Sequence, residues 1–435
     1  MFSHFRSAWQ LPEVRKKLLV TLLLIVIYRL GVFIPVPGVN PTFIAEQASQ
    51  YDFFTFLNMM SGRGFDNYSI FALGITPYIN ASIIVQLLTV AIPALENLSK
   101  EGEMGRKKIE KITRLLGVVF ALIMSIGFLV GMGQGAIVPS NVIPRWLSYL
   151  TVGLVVTAGT AFLMWIAEQL TESGIGNGSS FIIFVGIVSS MPGAMRGMWQ
   201  RMTGQVTPSL SPWVGIVVLI LAVAIVLFVT LVDLGERRIP VQYSKRVVGR
   251  KMYGGQSSFI PVKVNSNGVL PLIFAITIMQ LPGMIAQLLP NSGYGSWYMS
   301  VMGDANLGIA RHPAASVVYV AIYALLIVGF SYFYNSISFN PIELSKNIQG
   351  QGGYIPGIRP GKPTSDYLGR ISHRLTLFSA VFLALIAAIP TLFSSLGASL
   401  GFGATSLLIM VSVALETDKA MEAQVAMRHY KGFLR

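Results

Sequence analysis

Long apolar runs alternate with short polar connections along the chain. A helix needs about 20 apolar residues to cross a hydrocarbon core of about 30 Å. Runs such as LLVTLLLIVIYRLGVFI (18–34) and WVGIVVLILAVAIVLFVTLV (213–232) approach or reach that length. The pattern predicts ten spans, near 18–34, 75–94, 115–133, 146–167, 180–195, 211–232, 268–289, 314–338, 374–397 and 400–416. The fifth is the least regular, because Gly and Ser open it and Met191-Pro192 is expected to interrupt it. The tenth is short and flanked by glycines. The first follows Arg15, Lys16 and Lys17 but lacks a small-residue cleavage site, so it reads as a retained span and not a signal peptide.

A shorter pattern precedes the second span. Phe53, Phe56, Leu57 and Met60 fall at i, i+3, i+4 and i+7, and Gly62 and Gly64 then stop the repeat. A helix of ten residues is only about 15 Å long and cannot cross. The segment 51–69 either lies on the outer surface or folds back into protein or water as a re-entrant piece. The pattern leaves both open.

Composition supports a membrane domain without a separate soluble one. The chain of 435 residues is 53% hydrophobic and 11% charged, against about 25% charged in ordinary soluble domains. The net charge of +14 could point to nucleic acid, but the placement of the cations argues otherwise. If the N-terminus is cytoplasmic, 26 Lys and Arg lie in cytoplasmic segments and five on the other side: Arg63, Arg145, Arg196, Arg201 and Arg311. That asymmetry is the positive-inside rule and puts both termini in the cytoplasm. There is no cysteine, which excludes disulfides and thiolate metal sites. His4, His312, His373 and His429 are scattered and make no metal cluster.

Enzyme motifs are missing. No H-E-x-x-H and no G-x-S-x-G occurs. Gly361-Lys362 fails as a P-loop because Pro356 and Pro363 stand where a glycine and a hydroxyl are required. The spans are nearly free of charge: Arg29 is an exception near the outer end of span one, and Glu168, Asp233 and Glu416 sit at cytoplasmic span ends as boundary anchors. A transporter of small solutes with an inverted-repeat fold, the alternative reading, should carry a charged or unwound polar site at mid-membrane. Asn80, Ser82 and Gln86 in span two, and Thr277 and Gln280 in span seven, are polar but uncharged and suit bonding between helices. A pore without charges can be gated by a hydrophobic constriction. Isoleucines beside glycine and proline in GITPYI (74–79) and GVLPLI (268–273) suit that role, though taken alone they are explained better by plain lipid-facing or core aliphatic packing.

Longer strings narrow the choice. FALGITPYINASIIVQLL (71–88), SKEGEMGRKKI (99–109), GIGNGSSFIIFVGIV (174–188), ERRIPVQYSKRVVGRKMYGGQSSFIPVKVN (236–265), GGYIPGIRPGKPT (352–364) and ATSLLI (404–409) resemble the SecY family, channel-forming subunits of the bacterial protein translocase. The resemblance implies an all-α polytopic protein of the bacterial inner membrane. Ten helices form two inverted five-helix halves (1–195 and 211–416) around a central pore, with a cytoplasmic tail at 417–435. It implies a pore ring of Ile75, Ile79, Ile183, Ile273 and Ile409, with Ser179 at a sixth position that is usually aliphatic. It makes 51–69 a re-entrant plug carrying Phe53, Phe56, Leu57 and Met60, and places Asn80, Gln86, Thr277 and Gln280 along a lateral gate to lipid.

The same resemblance makes the loops 233–267 and 339–373 docking sites for the SecA ATPase or the ribosome, including its RNA phosphates. Arg237, Arg238, Lys245, Arg246, Arg250 and Lys251 would act in the first loop, and Gly357 and Arg359 in the second. Prolines would stiffen the second loop and lower its ordering cost on binding. SecE and SecG are the implied helical partners. Preprotein signal sequences and nascent membrane proteins are the implied substrates, and no cofactor is implied.

Overall fold

A computed structural model describes residues 9–48, 57–138, 144–205, 211–243, 246–248, 251–253, 257–288, 292–301, 313–395 and 404–432. The chain divides into two compact units: residues 1–212, 280–315 and 413–435 in one, and 213–279 and 316–412 in the other.

The first unit begins with α1 (Pro12–Val32) and α2 (Pro41–Ala48). Proline at the first position of α1 suits a site where the backbone N–H has no partner in any case. Helix α3 (Thr76–Ala91) ends at Ile92, because Pro93 disfavours helical geometry in the residue before it. That proline opens α4 (Pro93–Lys100), which bends away from α3 by 100°. Helices α5 (Glu103–Met132), α6 (Arg145–Ser173) and α7 (Gly178–Met202) follow. Helix α7 starts where the Asn177 side chain accepts from the N–H groups of Ser179 and Ser180. It continues through Pro192, contrary to the expected interruption. Proline removes one backbone donor and one helical bond, a loss that neighbouring helices offset within membranes.

The core of this unit gathers Ile44 of α2 with Ala121, Met124 and Phe128 of α5 and Val152 and Val156 of α6. Leu57, Phe65, Tyr68, Ala72 and Leu73 fill it from the irregular stretch ahead of α3. That stretch is pinned to the chain after α1: Val36 N–H donates to the Tyr68 carbonyl and Ile70 N–H to the Ile34 carbonyl, each at 3.0 Å.

The second unit contains α8 (Pro212–Leu234) apart from its first residue, and a three-stranded antiparallel sheet of order β4–β1–β5. Its strands are β1 (Glu236–Tyr243), β4 (Ser257–Lys263) and β5 (Gly353–Tyr354). Between β1 and β4 lies a hairpin of β2 (Arg246–Val248) and β3 (Lys251–Tyr253). Register runs from Glu236↔Lys263 to Gln242↔Ser257, and Gln242↔Tyr354 joins β5. Burial alternates from Arg238 to Gln242, with Ile239 and Val241 buried and Arg238, Pro240 and Gln242 exposed, as a half-buried strand demands, while Arg237 is exposed at the start of the strand.

Helix α9 (Leu270–Leu288) and the short α10 (Gly293–Val301) come next in the chain. They are followed by α11 (Pro313–Ser338), α12 (Pro341–Gly350), α13 (Lys362–Ser395) and α14 (Ala404–Gly432). Among the described residues, each of the ten expected spans lies on a helix apart from residues at its ends; 289, 396–397 and 400–403 lie outside the described residues. Among the described residues, six helices are individually long and apolar enough to cross a membrane, and α3 with α4 adds a bent seventh.

Candidate functional site

The stretch 57–75 is the unusual element. It begins as a helical turn at Leu57–Met60 and then runs through turns to α3, with Leu57, Met60, Ser61, Phe65 and Tyr68 all buried. A surface helix would leave one face outside. This stretch is enclosed by protein, which is the re-entrant arrangement. Phe53 and Phe56 lie outside the described residues.

Its turn is tightly organised. The Arg63 N–H donates to the Asn58 carbonyl at 2.7 Å, and the Asp66 N–H donates to the Asn58 side chain at 3.1 Å. Gly62 and Arg63 both adopt left-handed backbone, with φ of 66° and 72°. For a non-glycine residue that conformation costs roughly 1–2 kcal/mol. Helix α7 approaches closely: a Cβ on Gly186 would lie 2.2 Å from the Met60 carbonyl oxygen, so only glycine fits there.

Four of the expected ring positions lie in the first unit. Ile75 caps α3, and Ile79 follows one turn later; both are buried. Ile183 is buried on α7, while Ser179 is half-buried at the start of that helix, its N–H held by Asn177. In the second unit, Ile273 is buried in the first turn of α9 and Ile409 is fully buried on α14.

Of the gate positions, Asn80 is buried on α3 and turned toward α5, its Nδ2 lying 3.8 Å from the Met124 sulfur. Its Oδ1 is buried without a hydrogen-bond partner. Gln86 donates to Ser82 at 3.3 Å, one turn earlier on the same helix. Thr277 is buried on α9, and Gln280 lies on the same helix.

The two expected docking loops turn out to be one structure. Ile239 and Val241 of β1 and Val262 of β4 share a core with Ile348 of α12, with Ile355, and with Leu368 and Ile371 of α13. This core roots the exposed turn that carries Gly357 and Arg359. Thr364 Oγ1 donates to the Arg359 carbonyl at 2.9 Å, and Ser345 Oγ donates to the Gly361 carbonyl at 2.8 Å. The Tyr354 hydroxyl donates to Gln242 at 2.9 Å, tying this turn to β1. Arg359 therefore stands outward on a fixed backbone. Arg237 is exposed nearby in sequence to Arg238, which pairs with Glu236 at 2.7 Å and stacks on Phe259 at 4.9 Å. Arg246 and Lys251 fall on β2 and β3, and Lys245 and Arg250 lie outside the described residues.

The comparisons with known proteins bear on this arrangement. The family model for SecY matches residues 69–418. The chain belongs to the SecY family. A protein translocase subunit SecY from Streptomyces galbus is 42% identical over the full length of both chains. A SecY structure, described as having a plug domain that stabilises the closed state of the translocation channel and maintains a membrane seal, aligns with a TM-score of 0.66 at 21% identity, covering 96% of each chain. Sec61 in a canine ribosome–channel complex aligns with a TM-score of 0.62 at 18% identity, again covering 96% of each. The SecY-family fold, a multi-pass membrane architecture, accordingly extends over the whole chain. The matched stretch takes in every ring, gate and docking position named above, while Leu57 and Met60 lie just ahead of it.

Some residues gained roles that sequence reasoning had missed. Glu168, read as a boundary anchor, pairs with Arg114 and so joins α6 to α5. Asp233 accepts from Asn265 at 2.8 Å and from Ser412, and Asn265 in turn accepts from Ser379 at 2.9 Å. Arg29 reaches out of α1 to the Gly62 carbonyl and the Ser189 hydroxyl. A lone cation within an apolar run was the signal that could have found it.

Proposed function

We propose that this chain is the protein-conducting channel of a Sec translocon. It moves unfolded secretory polypeptides across the bacterial inner membrane and releases hydrophobic segments sideways into lipid. The observation that carries this reading is the buried re-entrant stretch 57–75 within a helical unit of a SecY-family chain. A short segment folded among spans can seal a pore and leave it without unfolding the spans themselves.

The chemistry required is physical and not catalytic. Ile75, Ile79, Ile183, Ile273 and Ile409, with Ser179, are proposed to line one constriction. Flexible aliphatic side chains fit around a passing polypeptide without selecting its sequence, and they hinder ions by dewetting. Asn80, Gln86, Thr277 and Gln280 are proposed to flank the lateral gate, where polar groups lower the cost of parting and wetting a seam. Hydrophobic segments then partition into the bilayer.

Energy comes from outside the chain. The exposed Arg359, on a turn rooted in a hydrophobic core, is proposed to engage SecA. A planar guanidinium suits carboxylate or phosphate. The cations around β1 and the following hairpin are proposed to meet ribosomal phosphates, with both termini cytoplasmic and SecE and SecG as helical partners.

The test is reconstitution with SecE, SecA, ATP and a signal-bearing preprotein, read as protease protection of the substrate inside vesicles. Protection is expected with the natural chain and is expected to vanish with Arg359→Glu. No protection with either form would overturn the reading.

A further inference from the structure

Arg29 lies in the last turn of α1, where a charge within an apolar run must find partners. Its Nη1 donates to the Gly62 carbonyl at 3.1 Å and to Ser189 Oγ on α7 at 2.8 Å. Ser189 Oγ itself donates to the Gly186 carbonyl at 2.8 Å, which leaves its lone pairs facing the guanidinium. The guanidinium also sits 5.2 Å from the centre of the Phe33 ring. One side chain thus ties α1, the turn at 61–64 and α7 together.

The turn it holds is the strained one. Gly62 and Arg63 are successive left-handed residues at the end of the Leu57–Met60 helical turn. A Cβ at Gly62 would lie 2.7 Å from both Arg29 Nη1 and Ser189 Oγ, so the clasp closes directly on the backbone here. The Arg63 guanidinium lies against Gly193, about two turns beyond Gly186 on the same helix. Unfavourable backbone persists only where its surroundings impose it. Removing the clasp should therefore release this turn first.

We infer that Arg29 is a positioning residue, a latch that holds the turn at 61–64 against α7 and so anchors the end of the plug segment in the resting channel. The inference rests on the proposed channel reading for its function, but the latch itself is a structural claim. Moving the segment would break the Arg29–Gly62 bond while Arg29 and Ser189 keep each other. A charged donor makes that bond roughly twice as strong as one between neutral groups.

The chain has no cysteine, so a single introduced thiol is an unambiguous reporter. Ser61 and Ser125 are both fully buried in the first unit. Ser61→Cys reports on the turn and Ser125→Cys on the α5–α6 core. The readout is the ratio of their labelling rates by N-ethylmaleimide, in membrane vesicles holding the full chain. Arg29→Met should raise the ratio about tenfold, Arg29→Lys should rescue part of the protection, and Ser189→Ala should give a smaller rise. Adding Ser189→Ala to Arg29→Met should add little, because the two act as one clasp. An unchanged ratio would sink the latch, whether both thiols stay protected or both open together. Preprotein translocation by the unaltered vesicles tests the channel reading separately. Translocation without a ratio change refutes only the latch, and a ratio change without translocation refutes only the channel.

Discussion

The hydroxyl of Ser345 donates to the carbonyl of Gly361 at 2.8 Å. This bond fastens the end of the exposed Arg359 turn to α12, whose Ile348 belongs to the core shared with β1. Such a bond is worth about 1 kcal/mol. Ser345→Ala should lower SecA-driven translocation a few-fold with the spans intact, because the turn becomes mobile before binding. Arg359→Glu should abolish it. Protease protection of a preprotein measures both, and equal losses would argue that the backbone of the turn matters as much as its cation.

Leu57 is fully buried among residues of α2, α5 and α6. Truncating a buried leucine costs about 2–5 kcal/mol. Leu57→Ala should lower the thermal unfolding midpoint of the detergent-solubilised protein. If the segment instead left the core readily, the midpoint would move little, so the size of the shift reports how firmly the stretch is seated.

For the constriction, Ile79→Gly together with Ile183→Gly should raise the resting ion conductance of reconstituted bilayers several-fold. Both side chains are buried. Conductance equal to that of the natural chain would remove these two positions from the ring.

Arg237 and Arg238 differ in their commitments. Arg238 is occupied by Glu236 and Phe259. Arg237→Glu should therefore weaken ribosome binding more than Arg238→Glu. It should also flatten the dependence of log affinity on log salt by about one unit if a phosphate contact is lost. Binding titrations at several salt concentrations decide this.

Asp233 accepts hydrogen bonds from Asn265 and Ser412. Asp233→Ala leaves those donors without an acceptor, which should cost about 1–3 kcal/mol. Asp233→Asn keeps an acceptor and should cost less. Thermal unfolding of the two variants side by side is the measurement.

Much of this protein was legible along the chain. Apolar runs of span length predict helices because the backbone must bond internally in lipid, and the described parts of all ten expected spans lie on helices apart from residues at their ends. Motif strings from FALGITPYINASIIVQLL to ATSLLI point to the SecY family, whose model matches residues 69–418. Those are local properties: a run of isoleucine and valine has the same partition preference wherever it sits.

Tertiary structure decided the rest, because it depends on which neighbours a residue meets. Period alone could not say whether Leu57 and Met60 faced lipid or protein; the core of α2, α5 and α6 answered that for Leu57, and Met60 is buried with its backbone against Gly186 of α7. Pro192 reads as a break in sequence, yet α7 carries it. The loops 233–267 and 339–373 look independent until β1 pairs with β5 across more than a hundred residues and their aliphatic side chains close one core. Arg29 is a lone charge in sequence. Only folding brings the Gly62 carbonyl and the Ser189 hydroxyl within reach of it, 33 and 160 residues away along the chain.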